Sequence, residues 1–88
     1  MKLIRISAIW CTSCILTYKY FNEIKDEYPN FEYEELDYDI DDIESYNVGN
    51  ILPVIIVLKD NKEVARIIGE KKTDEIKKVL GSVINENN

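Results

Sequence analysis

Leu3-Ile4-Arg5-Ile6-Ser7-Ala8-Ile9-Trp10-Cys11-Thr12-Ser13-Cys14 begins as a short apolar run and closes on two cysteines three positions apart. The run from Leu3 to Ala8 is rich in isoleucine and bounded by polar residues and the cysteine segment, which predicts a strand. Beyond Thr12 the period changes. Ile15 and Leu16, then Tyr20 and Phe21, then Ile24 and Tyr28 recur at helical spacing, and Pro29-Asn30 stops the pattern. A helix is expected from the cysteines to Glu27 or Tyr28, with those apolar residues facing a core.

A pair of thiols at the junction of a strand and a helix has a defined chemistry. In the first helical turn the two sulfurs lie near enough to form a disulfide without any larger movement. The first sulfur meets the unpaired N–H groups and the positive end of the helix dipole, which favour a thiolate and lower a thiol pKa. Thiolate is the attacking species in disulfide exchange. Cys11 is therefore expected to attack a substrate disulfide, and Cys14 to attack Cys11 and release the reduced substrate. Zinc takes four ligands, and two Cys with no His cannot supply them within one chain. Two inert buried cysteines are the plainer alternative, and the flanking strand and helix weigh against it.

Working outward, Phe31 to Tyr38 reads as a second strand whose carboxylates suit a sheet edge. Asp39 to Asn47 has room for one or two helical turns, capped by Asp41 or Asp42 and carrying Ile43 and Tyr46 on one face. Val54 to Leu58 is a continuous apolar, largely β-branched run, the mark of a buried strand. Asp60-Asn61 is a tight-turn pair, and Glu63 to Ile68 returns as the hairpin partner until Gly69 breaks it. Thr73 is the expected cap of a final helix, with Asp74 and Glu75 in its first turn. Ile76, Val79, Leu80, Val83 and Ile84 form its apolar face. Residues 1–84 thus read as one domain, and 85–88 as a frayed tail. The order is β-α-β-(short α)-β-β-α. Its strand-helix-strand start implies a right-handed crossover and a parallel pair, and the hairpin adds antiparallel pairing. The fold class is α/β, a mixed sheet with helices on both faces.

Composition narrows the functions open to such a domain. The 88 residues carry a net charge of −6, and eight carboxylates with no basic residue lie between Glu32 and Glu44. An acidic chain without a basic stripe argues against a nucleic-acid partner. The longest apolar stretch, Ile51 to Leu58, is eight residues and contains Pro53, against the ~20 needed to span a bilayer. No membrane partner is expected. The N-terminus lacks a leader-like apolar core, so the expected compartment is the cytoplasm, where thiols are used chemically rather than as staples.

These features together resemble the thioredoxin and glutaredoxin superfamily, from about Leu3 to about Val83. Trp10-Cys11-x-x-Cys14 is similar to the thioredoxin active site. Ile51-Leu52-Pro53-Val54 sits where that family carries its cis-proline, with Tyr46-Asn47-Val48 upstream, and Asp60 to Gly69 resembles its last hairpin. The resemblance implies a minimal thioredoxin fold with four strands in the order 2-1-3-4. It also implies a cis bond before Pro53, beside the sulfurs, with the Leu52 backbone turned outward to pair with an extended substrate segment. Trp10 and Gly69 would flank that groove, and the hydroxyls of Thr12 and Ser13 would donate to a thiolate. The implied activity is a thiol–disulfide oxidoreductase acting on protein disulfides, recycled by a reductase, needing no cofactor, as a monomer.

Three departures from the family pattern stand out. The opening strand and helix of thioredoxin are not expected, since ten residues precede Cys11. The spacer is Thr12-Ser13 rather than Gly-Pro or Pro-Tyr. Thioredoxins usually place a buried Asp six residues before the first Cys; here that position is Arg5. Arginine cannot act as a base at neutral pH, and Glu35 or Asp37 on the neighbouring strand is its expected partner. Gly69-Glu70-Lys71-Lys72-Thr73-Asp74 departs from the glutathione-binding pattern of glutaredoxins, and Glu70 would repel a glutathione carboxylate. Glutathione-dependent reduction is therefore second to protein disulfides. A thioredoxin-fold binding module with little redox activity is the alternative from another class.

Overall fold

Val54–Lys59 forms one of the two inner strands of the sheet, and its first four residues are buried. A β-branched run of this kind is stable only where both sheet faces are covered. The computed structural model describes residues 1–85. Its elements run β1 (Lys2–Ser7), α1 (Thr12–Glu27), β2 (Glu32–Asp37), a single 3-10 turn (Glu44–Tyr46), β3 (Val54–Lys59), β4 (Lys62–Ile68) and α2 (Thr73–Asn85). The sheet order is β2-β1-β3-β4. β1 is parallel to β2 and antiparallel to β3, and β3 is antiparallel to β4. The α/β fold with order 2-1-3-4 is thus observed, with the acidic β2 at one edge. Asp60 and Asn61 both take positive φ, 53° and 64°. That pairing matches the twist of the two strands they join.

The two faces of the sheet are covered differently. Leu3, Ile55, Val57 and Ile67 pack beneath Phe21 and Ile24 of α1 and Ile76 and Leu80 of α2. Both α-helices therefore lie on one face. Ile4, Ile6, Val54 and Ile56 point the other way and are covered by Leu36, Tyr38, Ile43, Tyr46 and Val48. The short α-helix expected there is only the 3-10 turn. Its acidic residues hold loop turns instead: the Asp41 carboxylate accepts the Asp37 N–H at 2.7 Å and that of Asp42 accepts the Glu44 N–H at 3.2 Å. Such side chains compete with helical hydrogen bonding.

Two further corrections concern helix faces and ends. The buried stripe of α1 is Cys14, Thr17, Phe21 and Ile24, while Ile15 and Leu16 are 65% and 59% exposed. Thr17 takes the inner position because its hydroxyl donates to the Ser13 carbonyl at 2.5 Å, so its burial leaves no polar atom unsatisfied. Leu16, one residue away, is rotated by about 100° toward solvent. Thr73 does not cap α2. The Lys72 carbonyl accepts the first N–H groups, from Glu75 and Ile76, and the Thr73 hydroxyl donates across to Glu23 of α1. With the Lys77–Glu27 ion pair at 2.9 Å, it ties the two helices together. α2 extends to Asn85, one residue into the expected tail; the rest of that tail, 86–88, lies outside the described residues. Among the described residues, no helix is long and apolar enough to cross a membrane.

Candidate active site

Cys11 occupies the N-cap of α1, a position usually filled by Ser, Thr, Asp or Asn. Its backbone is extended, its own N–H donates to the Ala8 carbonyl at 3.1 Å, and its Sγ accepts the Cys14 N–H at 3.1 Å. The sulfur thus takes the role of a capping oxygen, at the helix end where negative charge is favoured. Both cysteines are free thiols and both are buried, Cys11 8% exposed and Cys14 3%. The inner one is the harder to ionise. Burial, then the hydrogen bond to the Cys11 sulfur, pushes the Cys14 thiol from 9.0 up to about 11, with a backbone contact from Ala8 and the charge of Arg5 pulling the other way.

The residues expected beside the sulfurs come largely from the turn into β3. The Cys11 thiol reaches toward the Leu52 carbonyl at 3.7 Å, and the Leu52–Pro53 peptide bond is cis. The Pro53 carbonyl accepts the Gly69 N–H at 2.8 Å. Gly69 has φ +89°, a conformation side chains rarely adopt, and the chain can close against Pro53 only in that form. Trp10 flanks this cluster, 58% exposed; its Nε1 donates to Asp39 at 2.6 Å and its ring meets Tyr38 edge-on at 6.0 Å. Thr12 is exposed and Ser13 half-buried. Ile9, Ile15 and Ile51, each adjacent in sequence to a residue of the cluster, are 59–83% exposed and give it an apolar rim. Helical periodicity assigns Ile15 to the core, so the rim is hidden in the sequence. The 14-17-21-24 spacing, with Thr17 able to bond back to its own helix, is the signal that would have found it.

Arg5 lies on the helix-covered face of β1, in register with Glu35 of β2. It is 3% exposed. One guanidinium nitrogen donates to the Cys14 carbonyl at 2.5 Å and the other lies 3.6 Å from the Glu35 carboxylate, which Lys25 also approaches at 3.7 Å. Of the two expected partners, Glu35 is the one used; Asp37 instead accepts the Asp39 N–H at 2.8 Å. The guanidinium also lies over the rings of Tyr18 and Phe21, 5.3 and 5.8 Å from their centroids. The bond to Cys14 has no counterpart in the sequence reading, because no periodicity links residues nine apart on a strand and a helix.

A protein-family model described as Thioredoxin matches residues 1–82. The chain is 30% identical over 79 residues to a thioredoxin H-type from Fagopyrum esculentum, covering 88% of this chain and 67% of that protein. It is 32% identical over 81 residues to thioredoxin H2 of Arabidopsis thaliana, covering 90% and 60% respectively. The chain therefore spans about three fifths to two thirds of the length of these relatives. The crystal structure of thioredoxin from Trypanosoma brucei brucei superposes with a TM-score of 0.85 at 21% identity, over 96% of this chain and 74% of that one, a likeness of fold.

Proposed function

The chain belongs to the thioredoxin family, and from that premise we propose that Cys11 and Cys14 are the redox couple through which it reduces disulfides in other proteins. The protein is a thiol–disulfide oxidoreductase. Cys11, as thiolate, attacks one sulfur of a substrate disulfide; a Cys11–substrate bond forms and the second substrate sulfur leaves as a thiolate that takes up a proton. Cys14 then gives its proton to solvent and attacks Cys11. The Cys11–Cys14 bond forms, the Cys11–substrate bond breaks, and the remaining substrate sulfur departs as a thiolate and is protonated. Two electrons pass from the dithiol to the substrate, and a reductase returns them.

One observation carries this reading: the Cys11 sulfur caps α1 and accepts the Cys14 N–H at 3.1 Å. This puts the nucleophile at the favourable end of a helix with its resolving partner one turn away. Trp10, Thr12, Ser13, Leu52, Pro53 and Gly69 form the groove for an extended substrate segment, and the apolar rim supplies affinity without demanding one sequence. The cytoplasm suits a dithiol reductant, since thiols are kept reduced there. The charged edge strand β2 suits a monomer.

The test uses a disulfide-bonded substrate protein and a chemical dithiol as electron source. Wild type accelerates reduction and Cys11→Ser does not; Cys14→Ser, mixed in reduced form with the substrate before any dithiol is added, accumulates a covalent adduct on non-reducing gels that dithiol then releases. Equal rates for all three proteins would falsify the assignment. Equilibration in graded glutathione buffers is expected to give a potential near −270 mV, on the order of the reducing thioredoxins. A value of roughly −120 to −180 mV would assign an oxidising role instead.

A further inference from the structure

Arg5 is a permanent positive charge enclosed by protein, and burying such a charge is costly unless it is well paired. Its pairing here is incomplete. The carboxylate of Glu35 stands 3.6 Å away, beyond hydrogen-bond distance, and shares its own charge with Lys25. The short bond is to a neutral group, the Cys14 carbonyl. The guanidinium therefore keeps much of its field, and the first turn of α1 lies directly over it. A cavity of about 510 Å³ beside the guanidinium is lined by Arg5, Cys14, Glu35 and Asp37.

We propose that Arg5 is a positioning residue for the second step of exchange: its buried charge, clamped to Cys14, stabilises the Cys14 thiolate as it forms, while Glu35 weakens that effect by partly neutralising Arg5. The proposal rests on Cys14 being the resolving thiol, as argued above. A carboxylate at the position of Arg5 would assist by accepting the Cys14 proton; a guanidinium assists by stabilising what remains when the proton has gone to solvent. Burial opposes ionisation of Cys14, and the Ala8 backbone and, less strongly, the charge of Arg5 act against it. Tyr18 and Asp41 line the same cavity, Asp37 and Asp41 opposing a thiolate as Glu35 does. Cys11 touches Cys14 directly, and Lys71 lines a second, smaller cavity together with Arg5, Pro53 and Gly69.

The two steps are separable with an aromatic disulfide that releases a coloured thiolate. Attack by Cys11 releases one equivalent and leaves the other in a mixed disulfide on Cys11. Attack by Cys14 forms the Cys11–Cys14 bond and releases the second. The rate of the second release, followed from pH 6 to 10, reports ionisation of Cys14. Arg5→Met, which keeps the length and apolar stem, is expected to slow the second release about tenfold at pH 7 and move its pH profile upward. Glu35→Gln is expected to do the opposite: a faster second release and a profile moved downward. A general loosening of the site cannot produce opposite signs from two partners of one ion pair.

An unchanged pH profile in folded Arg5→Met overturns the proposal. A slower second release in Glu35→Gln also overturns it, by making Glu35 the proton acceptor. Should Arg5→Met not fold, Arg5→Gln takes its place, and an unchanged pH profile of the second release in that variant overturns the proposal. A wild type that releases no first equivalent refutes the function proposed for Cys11. A wild type that releases both equivalents, with variants that match it, refutes only the role of Arg5.

Discussion

Phe21 and Leu16 are both apolar residues of α1 that helical periodicity assigns to the core, and the structure separates them sharply. Phe21 is 1% exposed and Leu16 is 59% exposed. Truncating a buried Phe to Ala costs about 3–5 kcal/mol. The upper half of that range is expected at Phe21. Its ring also meets Tyr33 edge-on at 5.8 Å and lies under Lys25 and Arg5, at 5.3 and 5.8 Å, and those contacts go with it. Leu16→Ala removes a side chain already largely in water and puts in the best helix former, so its cost is expected below about 1 kcal/mol. An 88-residue domain has a total stability on the order of 4–13 kcal/mol, so the first change consumes a large share and the second does not. The assay is urea unfolding of the disulfide form at pH 7, followed by far-UV circular dichroism. Comparable m-values are the check that the unfolding remains two-state. If Phe21→Ala leaves too little folded protein, Phe21→Leu gives the same ranking at smaller size. A Leu16→Ala cost equal to or above that at Phe21 would refute the packing described here and mean that α1 docks on the face its apolar pattern suggests.

Two further outcomes are expected. The Cys14 thiol is raised from 9.0 to about 11 in the fold, so the reduced protein holds its full stability below pH 9 and loses it as pH rises through about 11. The loss is up to about 3 kcal/mol. Urea titrations of reduced wild type and Cys14→Ala across pH 8–11 check this, and parallel curves would remove Cys14 as the cause. At the β3–β4 turn, Asn61 has φ 64°, so Asn61→Ala is expected to lower stability by about 1 kcal/mol while Asn61→Gly is nearly neutral. Equal unfolding midpoints for the two variants would show that the turn does not hold that conformation.

Local patterns carried much of this protein. The strand before the cysteines, the helix after them, the hairpin at Asp60-Asn61 and the apolar face of α2 each follow from short-range periodicity and turn chemistry, and each is present within a residue or two. The departures come from side-chain hydrogen bonds and packing that apolar periodicity does not register. Helical periodicity puts Ile15 and Leu16 in the core, and residue type makes Thr73 a cap, but the final places depend on which partner each side chain meets. Thr17 goes inside because Ser13 satisfies its hydroxyl, and the Thr73 hydroxyl, on the first residue of α2, turns to Glu23 of α1 instead of capping its own helix. The loop from Asp39 to Asn47 belongs here too: its carboxylates bind backbone N–H groups nearby and confine the helix to a 3-10 turn.

The amino-acid sequence by itself determined the order of elements and the chemistry of the Cys11–Cys14 pair, because both are set by neighbours within one or two turns of the chain. Tertiary structure alone decided that the Arg5 guanidinium is held against the Cys14 carbonyl, and which of its two candidate carboxylates it meets. Arg5, Cys14 and Glu35 lie on three different elements, and their contacts exist only once parallel pairing of β1 with β2 puts Arg5 opposite Glu35 and docking of α1 lowers the Cys14 carbonyl onto the guanidinium. Burial then gives that charge its weight, since a guanidinium shielded from water acts on a nearby thiol far more strongly than one in solvent.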